Sequence, residues 1–87
     1  KGSHKQTMIE VDTRDRLGLL YDITNTLFRN QITIRSAVIA TYGEQAVDTF
    51  YVNDLFGEKI TSSQKLEQVR RELLFYLDKH FKKALKN

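Results

Sequence analysis

The strongest constraint on the fold is a change of hydrophobic period across one short stretch, Asp12-Thr13-Arg14-Asp15-Arg16-Leu17-Gly18-Leu19-Leu20. Before it, residues 7–13 alternate, with Ile9 and Val11 on one face and Glu10 and Asp12 on the other. Period two describes a strand with one buried face. After it, Leu20, Ile23 and Leu27 recur at spacings of three and four, and Leu19 and Phe28 widen the stripe. That spacing predicts a helix with one apolar side. The stretch between them is a strand-to-helix turn with a glycine where the helix opens. Such a turn gathers unpaired backbone N–H groups at one spot, with the positive end of the helix dipole behind them. It suits a carboxylate or a phosphate. Gly18, lacking a Cβ, lets a ligand or another chain come close to the main chain. The plainer alternative is that Gly18 only eases a tight turn. Asp15 is placed to cap the helix by accepting from first-turn amides.

Residues 32–41 read as a second strand. Ile32, Ile34, Ser36, Val38 and Ala40 face one way, and Thr33, Arg35, Ala37, Ile39 and Thr41 the other. Tyr42-Gly43-Glu44-Gln45 reads as a hairpin turn in which glycine supplies the positive φ. Residues 46–53 form the third strand, with Ala46, Phe50 and Val52 inward. Asp48 shares their parity. It is expected near a strand end or in a pair, because an unpaired buried carboxylate is costly. A loop over residues 54–59 leads to a second helix. Thr61 and Gln64 fit a capping box there, and Leu66, Val69, Leu73 and Leu77 make a stripe that continues to Phe81 and Leu85.

The order strand, helix, strand, strand, helix predicts an α+β, ferredoxin-like domain. It has an antiparallel sheet with both helices on one face. That fold usually closes with a fourth strand beside the first, and no segment after Leu77 reads as one. The first strand then has an open edge, which proteins usually cover. The cover is expected from a neighbouring subunit or from elsewhere in a longer chain. The sheet face without helices, carrying Ile, Val and Tyr, is a second place for a partner.

With 87 residues, the default is a single domain over residues 7–87. Gly2-Ser3-His4 resembles a cloning remnant, so residues 1–6 are set aside as tag or linker. No apolar run approaches the ~18 residues that span a bilayer. With no signal-peptide pattern, a cytoplasmic protein without membrane contact is expected. The net charge of +3 owes much to the basic tail, residues 79–87, where Lys79, Lys82, Lys83 and Lys86 flank His80. Cations there suit the negative pole of a helix.

No catalytic set is apparent. Arg14 or Arg16 is a candidate to hold a phosphate, but no glycine-rich cradle and no Asn to orient a water accompany them. Glu10, Asp12 and Asp15 are weak evidence for a metal, so neither a metal nor a cofactor is expected. An RNA-recognition module needs exposed aromatics on its central strands. Tyr51 is a lone candidate and no Lys/Arg-Gly-Phe run is present, so no nucleic-acid partner is expected.

Asp15-Arg16-Leu17-Gly18-Leu19-Leu20 resembles the Asp-Arg-Pro-Gly-Leu-Leu turn of ACT domains, small regulatory modules that bind amino acids. The resemblance continues through Ile34-Arg35-Ser36-Ala37-Val38-Ile39-Ala40-Thr41-Tyr42-Gly43-Glu44. In Ala46-Val47-Asp48-Thr49-Phe50-Tyr51-Val52-Asn53-Asp54-Leu55-Phe56-Gly57-Glu58-Lys59-Ile60 it is similar to the final ACT domain of bacterial bifunctional uridylyltransferase/uridylyl-removing enzymes, which modify the PII nitrogen-signalling protein.

The resemblance implies a regulatory module that senses glutamine, with nucleotidyl transfer and uridylyl removal in other domains. It implies a homodimer or a tandem ACT neighbour, with the ligand between two modules against the first turn. Asp15 would be the polar side chain there. Main-chain groups of Gly18, Leu19 and Leu20 would hold the ligand, and Thr33 stands where related modules often have Asn. Leu17 in place of proline, and Thr33 in place of Asn, leave a second possibility: a structural or dimerising module without a ligand.

Overall fold

Five elements follow one another along the chain: β1 (Thr7–Arg14), α1 (Leu19–Arg29), β2 (Ile32–Tyr42), β3 (Gln45–Asp54) and α2 (Ser63–Lys86). The computed structural model describes residues 5–86, with side chains as far as Leu77. The tail side chains Lys79, His80, Phe81, Lys82, Lys83, Leu85 and Lys86 therefore lie outside the described residues, as do Gly2, Ser3 and His4.

Among the described residues the sheet has three antiparallel strands in the order β1-β3-β2. β3 is central because a two-residue hairpin joins it to β2 while β1 takes its other edge. Gly43, at φ 63, and Glu44 make the hairpin between the facing pair Tyr42 and Gln45. Along β1, Thr7, Ile9, Val11 and Thr13 lie opposite Val52, Phe50, Asp48 and Ala46. Facing residues share a side of the sheet, so these eight side chains point to the helices. The opposite side of β1 and β3 carries Met8, Glu10, Asp12, Val47, Thr49 and Tyr51.

β2 departs from simple alternation. Ile34 faces Val52 and Ser36 faces Tyr51, which leaves Arg35 as an extra residue in a β-bulge. A bulge shifts the parity of everything after it. Ile32 and Ile34 face the helices, and beyond the bulge so do Ala37, Ile39 and Thr41, opposite Phe50, Asp48 and Ala46. Ser36, Val38, Ala40 and Tyr42 are on the open face. This corrects the uninterrupted alternation expected for residues 32–41, which put Ile34 and Val38 on one side. The helix-free face therefore carries Val38, Val47 and Tyr51, and Ile39 is not part of it.

Both helices cover the same face and share one core with the sheet. Ile23, Leu27, Phe50, Val52 and Val69 are at most 1% exposed, and Ile9, Ile34, Leu66 and Leu77 pack around them. The cover over β2 stops at the bulge: Ile32 is buried and Ile34 half-buried, but Ala37 and Ile39 are exposed. On the other flank, Leu66, Leu73 and Leu74 of α2 border the open edge of β1.

The link from β3 to α2 is pinned by Thr7, whose hydroxyl donates to the Ile60 carbonyl at 2.9 Å and accepts from the Ile60 N–H at 2.8 Å. Ser62, rather than Thr61 with Gln64, caps α2. Its Oγ accepts from the Lys65 N–H at 3.2 Å, because the helix begins one residue later than the capping-box reading assumes. Asn30 joins the helices: buried at the end of α1, its amide donates to Thr26 O and to the Glu72 carboxylate and accepts from Gln68.

Asp48 is neither at a strand end nor ion-paired. It sits inside β3, 3% exposed, and its Oδ1 accepts from the Ala40 N–H at 3.2 Å. A main-chain amide, not a cation, meets the carboxylate.

Candidate functional site: the turn between β1 and α1

The turn between β1 and α1 lies at the hairpin end of the sheet, where the Asp15 N–H donates to Glu44 O at 2.8 Å. Gly18 occupies the helix N-cap at φ 80 and ψ 1, a left-handed conformation that L side chains resist. No side chain caps this terminus. The role expected of Asp15 is therefore not filled: Asp15 is exposed and stands three residues ahead of the N-cap.

Arg16 does the local tethering instead. Its Nη2 donates to Asp22 Oδ2 at 2.7 Å and its Nη1 to Leu17 O at 3.1 Å. The two side chains are 22% and 24% exposed, so the pair is shielded in part from water. Arg16 thereby ties the turn to the first turn of α1. Among the first helical amides, the Leu19 N–H donates to Arg16 O at 3.2 Å and the Asp22 N–H to Gly18 O at 3.0 Å. Among the described residues no protein acceptor meets the amides of Leu20 and Tyr21. Open first-turn N–H groups with a helix dipole behind them are an anion-accepting surface. Leu19 anchors that surface in the core at 3% exposure, while Leu17, Leu20 and Tyr21 are exposed around it.

The five residues expected at a site thus divide. Asp15, Gly18, Leu19 and Leu20 lie together at this corner. Thr33 does not: it faces Asn53 near the start of β2. The nine residue steps from Thr33 to Tyr42 put it about 30 Å from the hairpin end. It lines instead a shallow groove between α1 and the β2 edge with Tyr21, Phe28 and Leu55. The Arg16–Asp22 tether was missed in the sequence, although an acidic residue in a first helical turn close after an arginine is a signal for it.

The side chains weighed for other chemistries lie close by. Arg14 and Arg16, the candidates for a phosphate, each face a carboxylate, Glu44 at 3.2 Å and Asp22 at 2.7 Å. Asp12 accepts from the Gln45 amide at 2.6 Å on the open face. Among the described residues no group of three or more His, Cys, Asp or Glu converges as metal ligands do. No described helix is long and apolar enough to cross a membrane.

Comparison with known proteins gives concordant results. A family model described as the ACR family N-terminal ACT domain matches residues 2–78. A bifunctional uridylyltransferase/uridylyl-removing enzyme of Cereibacter sphaeroides is 58% identical over 73 residues, covering 84% of this chain and 8% of that protein. The protein of the same name from Azospirillum brasilense is 53% identical over 75 residues, 86% of this chain and 8% of its own length. That from Zymomonas mobilis is 49% identical over 78 residues, 90% of this chain and again 8% of its own length. The chain spans about 8% of the length of these relatives. The resemblance pointed to a final ACT copy, and the matching model describes an N-terminal one. A left-handed glycine at an open helix terminus, a β-α-β-β-α order and a family match over most of its length agree: this chain belongs to the ACT domain family.

Proposed function

We propose that this domain senses a free amino acid, glutamine, and regulates a nucleotidyltransferase that adds uridylyl groups to the PII nitrogen-signalling protein and removes them. The transfer and hydrolysis belong to other parts of a longer chain. The observation that carries the reading is the exposed corner at Gly18, with the Leu20 and Tyr21 amides open beside it. The names of the relatives support the choice of enzyme. The ligand carboxylate takes the open amides, with Gly18 allowing the approach. Leu19 holds the turn in register, and Asp15 offers a carboxylate at the rim. Thr33 contributes from a second module, since within one chain it lies far from the corner. A ligand that fits one arrangement of modules better shifts the population towards it by its differential affinity.

The test is calorimetry of this chain against each of the common amino acids, at concentrations that favour assembly. Saturable heat with L-glutamine is expected. Silence towards every amino acid overturns the proposal.

A second reading, a self-associating module without ligand, draws on the two open edges of the sheet, β1 and β2. β2 carries no charged side chain from Ser36 to Tyr42, and Val38, Ile39 and Tyr42 are more than half exposed there. A monomer in sedimentation at high concentration counts against it.

A further inference from the structure

The outer edge of β1 has no strand beside it among the described residues, since β3 takes its other side. Every second residue of such a strand directs its N–H and C=O away from its neighbour. A row of unpaired main-chain groups is a template for another strand. The helix layer above this edge is unfinished as well. Ile9 faces the core residue Phe50 in mid-strand and is still only half-buried. On α2, Leu74 is 43% exposed, and Leu66 and Leu77 are half-buried. With Ile9 and Val11 these leucines line a groove along β1. A strand laid there gains main-chain bonds from β1 and apolar contact from α2 together.

The helix-free side of the sheet sets the other half of the occupant's chemistry. There β1 presents Glu10 and Asp12, both exposed. They face Thr49 and Val47 on β3, and none of the ion pairs among the described residues includes either. Arg14, further along, is already paired with Glu44. A second copy of this chain fits the edge poorly. Antiparallel pairing of two β1 strands along most of their length, with all helices on one side, sets Glu10 opposite the partner's Glu10 or the partner's Asp12. Like charges directly opposite are destabilising. A strand with Lys or Arg at those positions turns both contacts into attraction.

The chain spans about 8% of the length of the relatives it matches, so most of each of those polypeptides lies outside the matched region. A strand tethered in the same polypeptide acts at a high effective concentration, which offsets the weakness of a single added strand. We propose that the groove between β1 and α2 docks an extended segment of the same longer polypeptide, in which apolar residues facing α2 alternate with Lys or Arg facing Glu10 and Asp12. β1 leads straight into the turn at Gly18, so the docked segment connects that corner to the rest of the enzyme. The proposal rests on the reading above only in placing the domain within a longer enzyme, and not on the identity of the amino acid.

NMR titration of this chain with two short peptides, one alternating Val with Lys and one alternating Val with Glu, tests the chemistry. The Lys peptide is expected to shift the β1 amides and to bind about 10-fold more tightly, because two cross-strand contacts turn from attractive to repulsive in the Glu peptide. Glu10→Lys combined with Asp12→Lys, both at exposed positions, is expected to melt cooperatively and to reverse the preference. Equal binding of the two peptides, binding of neither, or an unchanged preference in the folded variant overturns the proposal. If the variant does not fold, salt decides: a preference undiminished at about 1 M salt is not electrostatic and overturns it. Hydrogen exchange of β1 tests the source. Slower exchange in a full-length enzyme carrying this domain than in this chain alone is expected. Equal rates overturn the tethered segment, and protection that grows with the concentration of this chain alone means a second copy and overturns it too. Silence towards every amino acid in calorimetry, by contrast, overturns the sensing reading and leaves this proposal standing.

Discussion

Gly18 shows how one residue sets the turn. A Cβ built there meets only Arg16 Nη1, at 3.7 Å, an ordinary contact. Space is available, so the cost of a side chain comes from holding φ at 80. Left-handed backbone costs an L residue about 1–2 kcal/mol, less for Asn, whose short polar side chain tolerates it. Thermal melts are therefore expected to rank Gly18 above Gly18→Asn, then Gly18→Ala, with Gly18→Val lowest because it is β-branched. Equal melting temperatures for the Ala variant and the wild type would contradict the positive φ. Gly18→Val is then a poor probe of binding by itself, since it also strains the fold. Gly18→Asn separates the two effects better. Arg16 and Asp22 act at the same scale, fixing where the turn leaves the sheet so that the open amides have a defined direction.

At the scale of elements, the bulge in β2 decides which residues the helices meet. Ile34 and Ser36 face adjacent residues of β3, with Arg35 extra between them. Removing Arg35 would leave a regular strand with Ile32, Ile34, Ala37 and Ile39 still on the helix side. Deletion of Arg35 is therefore expected to change stability by less than about 1 kcal/mol, as surface changes usually do. Deletion of Val38, in the regular run, moves one segment of β2 by a residue and flips its side chains to the wrong face. Denaturant titration of both deletions is the measurement. A fold that survives loss of Val38 as well as loss of Arg35 would contradict this register. The same bulge puts Ile39 across from Asp48.

At the scale of the whole molecule, β3 is sheltered and the two flanking strands are not. The edges differ. β1 carries Glu10 and Asp12, while the second half of β2 carries no charge. Charge on an edge discourages pairing with another chain, and its lack invites it. If the domain self-associates, the β2 edge is the expected contact, and Val38→Lys is expected to shift a dimer towards monomer in sedimentation. Val38 is 57% exposed on the open face, so the fold itself is expected to tolerate the change. A dimer indifferent to Val38→Lys would place the contact elsewhere.

The sequence by itself determined the element order, the single helix-covered face, the hairpin at Gly43 and the turn at Gly18. These follow from local periodicity and from residues with restricted or unusual backbone freedom. The β3 parity that turns Asp48 inward was legible in the same way. Tertiary structure decided the rest. The bulge at Arg35 leaves no mark in a strand of β-branched and small residues, because both registers look equally apolar; pairing with β3 chooses between them. Arg16, not Asp15, secures the turn because its reach to Asp22 exists only once the helix has formed. Thr33 is separated from Gly18 because β2 runs away from the hairpin, a matter of strand direction that no local pattern encodes. And Asp48 meets the Ala40 N–H only because the pairing of β2 with β3 sets that amide beside it.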